Sequence, residues 1–239
     1  MSTIVKRGYV PEDEKEFSAE SIEILRKAGR DLLYLINHGY HIKGASTFVG
    51  NHYLLSERQR LALVRAISTD ENIKLRASKE VKSIPQGSTV HIDGFNTIIT
   101  LEVALSDSLL LKCMDGTIRD LAALRGTYRL IDKTDKAIVL IGKALEDSKI
   151  GKAVFYLDAP VSNSGRLKQR IIELLSQFTF EVEVEVINNV DSVLEKLENV
   201  ITGDAIILDK CISWINLNAK LVEEINKDYP YVDFMNFVI

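Results

Sequence analysis

From Thr89 onward, short apolar runs alternate with stretches of helical spacing, and this alternation constrains the fold more than any other feature of the chain. Residues 89–92 (TVHI), 109–114 (LLLKCM), 153–157 (AVFYL), 181–187 (EVEVEVI) and part of 199–209 read as strands. Residues 95–105, 133–147, 164–178, 190–197 and 213–227 read as helices. Strands joined through helices return parallel to one another, because each crossover packs back onto the sheet. The expectation is an α/β fold with a mainly parallel central sheet flanked by helices. Strict Glu/Val alternation over 181–187 predicts a strand with one wet face, at a sheet edge.

Upstream the texture differs. Ile22, Leu25, Leu32, Leu33 and Ile36 recur at three- and four-residue steps, and Gly39 sits where such a helix would stop. A short helix is expected over 42–49. Ser56 followed by Gln59 has the spacing of a capping box and opens another helix through Arg65. Residues 70–82 are charged and form a further helix or a connector. Pro85-Gln86-Gly87 interrupts the pattern. The chain therefore divides into a loose lead-in (1–17), a small all-helical module (18–84) and an α/β domain (88–239). Charge follows the same division: residues 26–82 hold eleven positive and five negative side chains, a net +6, against −4 for the whole chain. Such asymmetry suggests two parts with different tasks, although basic helices can simply dock on an acidic neighbour.

The composition, 46% hydrophobic and 27% charged, is that of an ordinary globular protein. No apolar run approaches the roughly 18–20 residues that cross a bilayer, and the first residues carry no apolar core of signal-peptide length. A cytoplasmic protein without a membrane partner is expected. Cys113 and Cys211 lie far apart with no CxxC neighbour and read as buried free thiols. No phosphate-binding GxxxxGK[ST] or GxGxxG loop is present, and His38, His41, His52 and His91 lack metal-ligand spacing.

Open α/β sheets build their sites outside the carboxyl ends of the strands. Three of the runs end in aspartate, at Asp93, Asp115 and Asp158, and Asp204 follows a fourth. These four are the candidate catalytic residues. If AIIL is the fourth strand, Asp209 takes the end position instead; periodicity leaves both open. Carboxylates gathered at strand ends repel, and a hard divalent cation relieves the repulsion. Mg²⁺ or Mn²⁺ held by Asp93, Asp158 and Asp204 would then activate water against a phosphodiester. Aspartate also favours turns and helix caps, so any one of the four can be purely structural. Gly94 would permit close approach of a ligand, and Asn96 would orient a carboxylate or water. Arg119, Arg125 and Arg129 suit phosphate contacts. With Asn96, Ser162, Ser164 and Thr202 they form the expected substrate-binding set. Arg58, Arg60 and Arg65 are the nucleic-acid candidates of the helical module, although Arg60 points away from the face shared by the other two. Tyr34, Tyr40 and Tyr53 could stack on bases.

The segment HIDGFNTIITLEVAL resembles the opening strand–turn–helix of PIN and PIN-like nucleases, and VITGDAIILD resembles their later T-x-D element. This likeness implies metal binding by Asp93 and Asp204, with Thr202 beside Asp204 and Asp158 in the position of a middle acid. Asp115 and Asp120, in MDGTIRD, have no counterpart in that pattern. Over residues 20–215 the chain is more closely similar to an archaeal and bacterial family of unknown function. The similarity rests on LLYLINHGYHIKGASTFVGNHYLLSERQRLALVRA, MDGTIRDLAALRGTYR, YLDAPVSNSGRLK and ITGDAIILD. The resulting expectation is a Mg²⁺- or Mn²⁺-dependent, ribonuclease-like protein with RNA as partner and a homo-oligomer left open. The alternatives are a non-catalytic nucleotide-, RNA- or metal-binding module and a protein-interaction scaffold.

Overall fold

Side-chain caps set where the first helices begin. The computed structural model describes residues 5–122, 126–235 and 237. After a four-residue helix α1 (Asp13–Glu16), Ser18 accepts the Ser21 N–H and opens α2 (Ala19–Asn37). His41 caps α3 (Ile42–His52). Ser56 and Gln59 close the expected capping box at α4 (Glu57–Ala66), and Thr69 caps α5 (Asp70–Lys79). Each cap satisfies backbone N–H groups that a helix start leaves unpaired, typically for about 1 kcal/mol.

The α/β part follows as β1 (Thr89–Asp93), α6 (Gly94–Ala104), β2 (Leu110–Lys112), β3 (Ile118–Asp120) and α7 (Thr134–Asp147). Next come β4 (Lys152–Asp158), α8 (Ser164–Leu175), β5 (Glu181–Ile187), α9 (Val190–Leu194) and β6 (Val200–Ile201). The chain ends in α10 (Ala205–Lys210), β7 (Trp214–Ile215), α11 (Leu217–Ile225) and β8 (Val232–Asp233). Five strands form one parallel sheet in the order β5-β4-β1-β6-β7. Counted within that sheet the order is 3-2-1-4-5, as in the first five strands of doubly wound folds. The strand order reverses between β1 and β6, which run parallel. The alternating strand β5 lies at the edge, as its Glu/Val pattern requires.

The sheet is covered on both faces. Ala153, Phe155 and Leu157 point with Val90 and Ile92 into a core shared with α6, α7, α8 and α11. Val154 and Tyr156 point the other way, to Val190, Leu194, Ile207, Leu208 and Trp214. A third apolar cluster joins Leu25, Leu32, Val49 and Leu63 of the helical module to Leu111, Cys113, Val232 and Phe234. The helices thus lie on the small sheet β3-β2-β8 and share its hydrophobic burial.

Four local expectations change here. Residues 109–114 are not a strand of the main sheet: β2 and β3 form an antiparallel hairpin around Asp115-Gly116, with Gly116 at φ +78°. The last helix begins at Leu217, because Trp214 and Ile215 pair with β6 as β7. The lead-in is fastened rather than loose. Arg7 bridges to Glu102 at 2.8 Å and lies over the Tyr128 ring, while Arg58 binds Asp13 and the Gly8 carbonyl. Gly94 serves packing: a Cβ there would stand 2.6 Å from Leu157 Cδ2 and 3.0 Å from the Tyr156 carbonyl of the neighbouring strand. Gly94→Ala should therefore cost about 1–3 kcal/mol through forced separation of β1 and β4. Urea denaturation without ligands measures it, and an unchanged midpoint would return Gly94 to the role of ligand clearance.

Candidate functional site

The register of the central sheet brings two of the predicted acids to neighbouring strand ends. Ile92 pairs with Ile201, so Asp93 and Thr202 are the next residues outward on adjacent parallel strands. Thr202 Oγ1 donates to Asp93 Oδ2 at 2.8 Å and accepts the Asp204 N–H at 3.0 Å. Asp93 Oδ1 accepts the Asn96 N–H and caps α6, while Asn96 Oδ1 accepts the Gly203 N–H at 2.7 Å. Asp204 in turn caps α10 through the N–H groups of Ile206 and Ile207. The fourth strand is therefore Val200–Ile201, and Asp204 holds the position at its end. Asp209 lies within α10 and pairs with Arg76.

Asp93 is 7% exposed. Burial drives its carboxyl pKa up to about 7; hydrogen bonds from Thr202 and Asn96 oppose the rise, and the charges of Asp204 and Asp191 add to it. Asp191, in the first turn of α9, is raised by burial and then by Asp204, Asp158 and Glu195. Asp158, at the end of β4, is raised by burial against a hydrogen bond from the Val190 N–H. Four aspartates, 93, 158, 191 and 204, thus share one electrostatic neighbourhood at the carboxyl edge of the sheet. Among the described residues, no three His, Cys, Asp or Glu side chains converge closely enough to hold one ion together. The expected ligands Asp93, Asp158 and Asp204 share a field rather than a preformed coordination sphere.

Asp115 belongs elsewhere. Its carboxylate is 1% exposed and binds Arg76 at 2.6 Å, Arg119 at 2.5 Å and both the N–H and hydroxyl of Thr117. The hairpin turns it away from the acids around Asp93 and into a buried ion-pair hub that joins α5 to β3. Arg119 also bonds the Gly203 carbonyl at 2.5 Å and the Arg65 carbonyl. Its guanidinium therefore holds backbone, and together with Asn96 it engages Gly203 at both its carbonyl and its N–H.

The other predicted residues are spread out. Arg58 is tied to Asp13 and to the Gly8 and Leu121 carbonyls. Arg60 binds carbonyls of Thr47, Gly50 and Leu55 and closes the end of α3. Much of the basic surplus is therefore engaged within the molecule. Arg65 is half-exposed, donates to the Asp120 carbonyl and lines a cleft of about 370 Å³ with Asn96, Arg119, Gly203, Asp204 and Ile206. Arg129 is exposed and its carbonyl accepts from Arg7. Ser162 Oγ accepts the Tyr128 N–H, and Ser164 is the buried first residue of α8, whose cap is Asn163. Arg125 lies outside the described residues.

Two functional-looking acids escaped the sequence reading. Asp191 follows β5 just as the other acids follow their strands, and the left-handed Asn189 before it marks the turn. Glu102 is fully buried in α6, where it accepts hydrogen bonds from Tyr128, Thr134 and Arg7. Its place on an apolar helical face was visible, but its partners are distant in sequence.

Comparison with known proteins adds relatives. Residues 82–220 match a domain of unknown function (DUF5616), and residues 24–79 match a protein family of unknown function (DUF434). An uncharacterized protein of Methanocaldococcus jannaschii is 39% identical over 207 residues, 85% of this chain and 99% of its own. No solved structure matches. Among the described residues no helix is long and apolar enough to cross a membrane.

Proposed function

Starting from the DUF5616 family, to which this chain belongs, we propose that the carboxyl edge of its parallel sheet is a PIN-like, divalent-cation-dependent site for RNA phosphodiester hydrolysis. The observation that carries this reading is Asp93: a buried carboxyl at the point where the strand order of the sheet reverses, crowded by Asp204 and Asp191. Like-charged carboxylates kept together cost stability, and a cation removes the cost. Mg²⁺ commonly keeps several waters and is held by one or two carboxylates, so Asp93 and Asp204 would suffice as its protein donors without a third ligand. Bound there, such an ion would supply water activation and offset charge on the phosphate. Thr202 fixes the Oδ2 side of Asp93, and Arg119 with Asn96 fixes the peptide that carries Asp204. Asp158 and Asp191 deepen the negative field. Arg65, at the cleft beside Asp204, supplies a cation for a substrate phosphate.

Purified protein incubated with labelled single-stranded and structured RNAs should cleave with Mn²⁺ and stop in chelator. Equal, undetectable cleavage in both, together with no change in thermal midpoint on adding Mn²⁺, would overturn the reading.

A further inference from the structure

The cleft beside Asp204 does not end there. A second hollow of about 370 Å³ adjoins it and shares Ile42, Val64 and Ala205 as walls, so one groove runs between the helical module and α10. Ile206 stands on the wall of the inner compartment at 57% exposure, and Tyr40 lines the outer one at 62%. Each compartment is at the lower end of the size range of small-molecule sites. Apolar side chains this exposed inside a concave surface gain little from water and offer flat contact area. The inner end opens on Asp204, and Arg65 lines the same compartment; of the five donors of its guanidinium, one is spent on the Asp120 carbonyl, and the group also lies 3.8 Å from the carboxylate of Asp120, itself a lining residue.

We propose that this groove holds a single-stranded RNA end two nucleotides long, with one base between Val64 and Ile206 and the next stacked on Tyr40. This deepens the reading of the Asp93 site and rests on it for the identity of the occupant. Two compartments of equal volume joined by an apolar waist match two bases, since every base has an apolar face whatever its sequence. The acidic edge beyond Asp204 disfavours a run of further phosphates, whereas Arg65 favours one phosphate at the inner compartment. A duplex does not suit this mode of binding, because its bases are already stacked and unavailable.

The test is fluorescence anisotropy with labelled hexauridylate in chelator at low salt, followed by competition. The dinucleotide UpU should displace the probe, and ribose 5-phosphate should not. Tyr40→Ala should weaken binding about tenfold. Ile206→Asp should weaken it at least as much, and Leu54→Asp, at an 89% exposed position not among the groove's lining residues, should leave it unchanged. All three positions are exposed, and circular dichroism checks that the variants fold. The proposal is overturned if the wild type does not bind, if ribose 5-phosphate competes as well as UpU, or if both groove variants bind like wild type. The two readings fail separately. Groove-dependent binding without cleavage in Mn²⁺ defeats hydrolysis alone, and cleavage indifferent to Tyr40 and Ile206 defeats the groove alone.

Discussion

Asp115→Ala should lower the stability of the protein by about 3–5 kcal/mol at pH 7, with no metal present. The carboxylate sits between two guanidinium groups that are themselves 2% and 7% exposed. Removing it leaves Arg76 and Arg119 buried without their shared counter-charge, which costs more than the pair contributes in place. Arg76 reaches further, to Asp209 and Ser68, and its carbonyl accepts the Trp214 indole N–H. The loss therefore spreads to α5, α10 and β7 together. Burial alone would raise the Asp115 pKa, but Arg119, Thr117 and Arg76 outweigh it and hold the carboxyl below its ordinary 3.8. A depressed carboxyl stabilises the fold above its unfolded pKa and loses that contribution as pH falls through the folded value. Wild type should accordingly lose stability below about pH 4, and the gap to Asp115→Ala should narrow there. Chemical denaturation at pH 7 and pH 3 measures both effects. A cost below 1 kcal/mol for Asp115→Ala, or for the milder Asp115→Asn, would show that the hub does not hold these elements together.

That an acid expected in the pocket is a structural hub shows where the sequence stopped being readable. Periodicity identified β1, β4 and β5, and their residue-by-residue pairing put Asp93 and Asp158 at strand ends as expected. It could not say which sheet a strand joins. LLLKCM looks like its neighbours because burial on both faces produces the same apolar run in either sheet. The signal that distinguished it was Asp115-Gly116 between two short runs, a hairpin turn that brings the second run back antiparallel. Asp204 became assignable only with pairing, since VIT and AIIL are equally apolar and only the Asp204 cap separates strand from helix. Arg58, Arg60 and Arg119 fared as basic residues often do in one dimension. Their charge was legible, but the carbonyls and carboxylates that engage them lie up to 84 residues away. Asp191 was missed for a simpler reason: α9 is only five residues long, and its first-turn acid looks like any helix start.

Asp93→Asn should behave in the opposite way to Asp115→Ala, and the two together separate a site from a scaffold. A carboxyl held near 7 rather than its ordinary 3.8 ionises at the expense of the fold. The native state binds the proton more tightly than the unfolded chain does. Its contribution is therefore fully present below about pH 4, falls as pH rises toward 7, and is absent above that. The shift corresponds to about 4 kcal/mol if the protein stayed rigid. Relaxation and water entry reduce it, and the substituted amide must re-form the bond with Thr202, so a gain of about 2 kcal/mol for the variant at pH 8 in chelator is expected. At pH 4 the variant and wild type should be nearly equal. Added Mn²⁺ should reverse the order. An ion that binds only the native state stabilises it by about 4.1 kcal/mol at about a thousand times its dissociation constant, whereas a variant that binds at least a hundredfold more weakly gains only about 1.4 kcal/mol at the same concentration, a difference larger than the variant's advantage in chelator. Calorimetric titration with Mn²⁺ and denaturation at pH 4 and pH 8, with and without metal, give all four corners. The crossing of the two stability curves is the decisive result, because a turn residue without a ligand role gives parallel ones. An Asp93→Asn variant that is less stable than wild type in chelator at pH 8 would mean that the hydrogen bonds from Thr202 and Asn96 outweigh burial of the charge and the repulsion from Asp204 and Asp191 at this position.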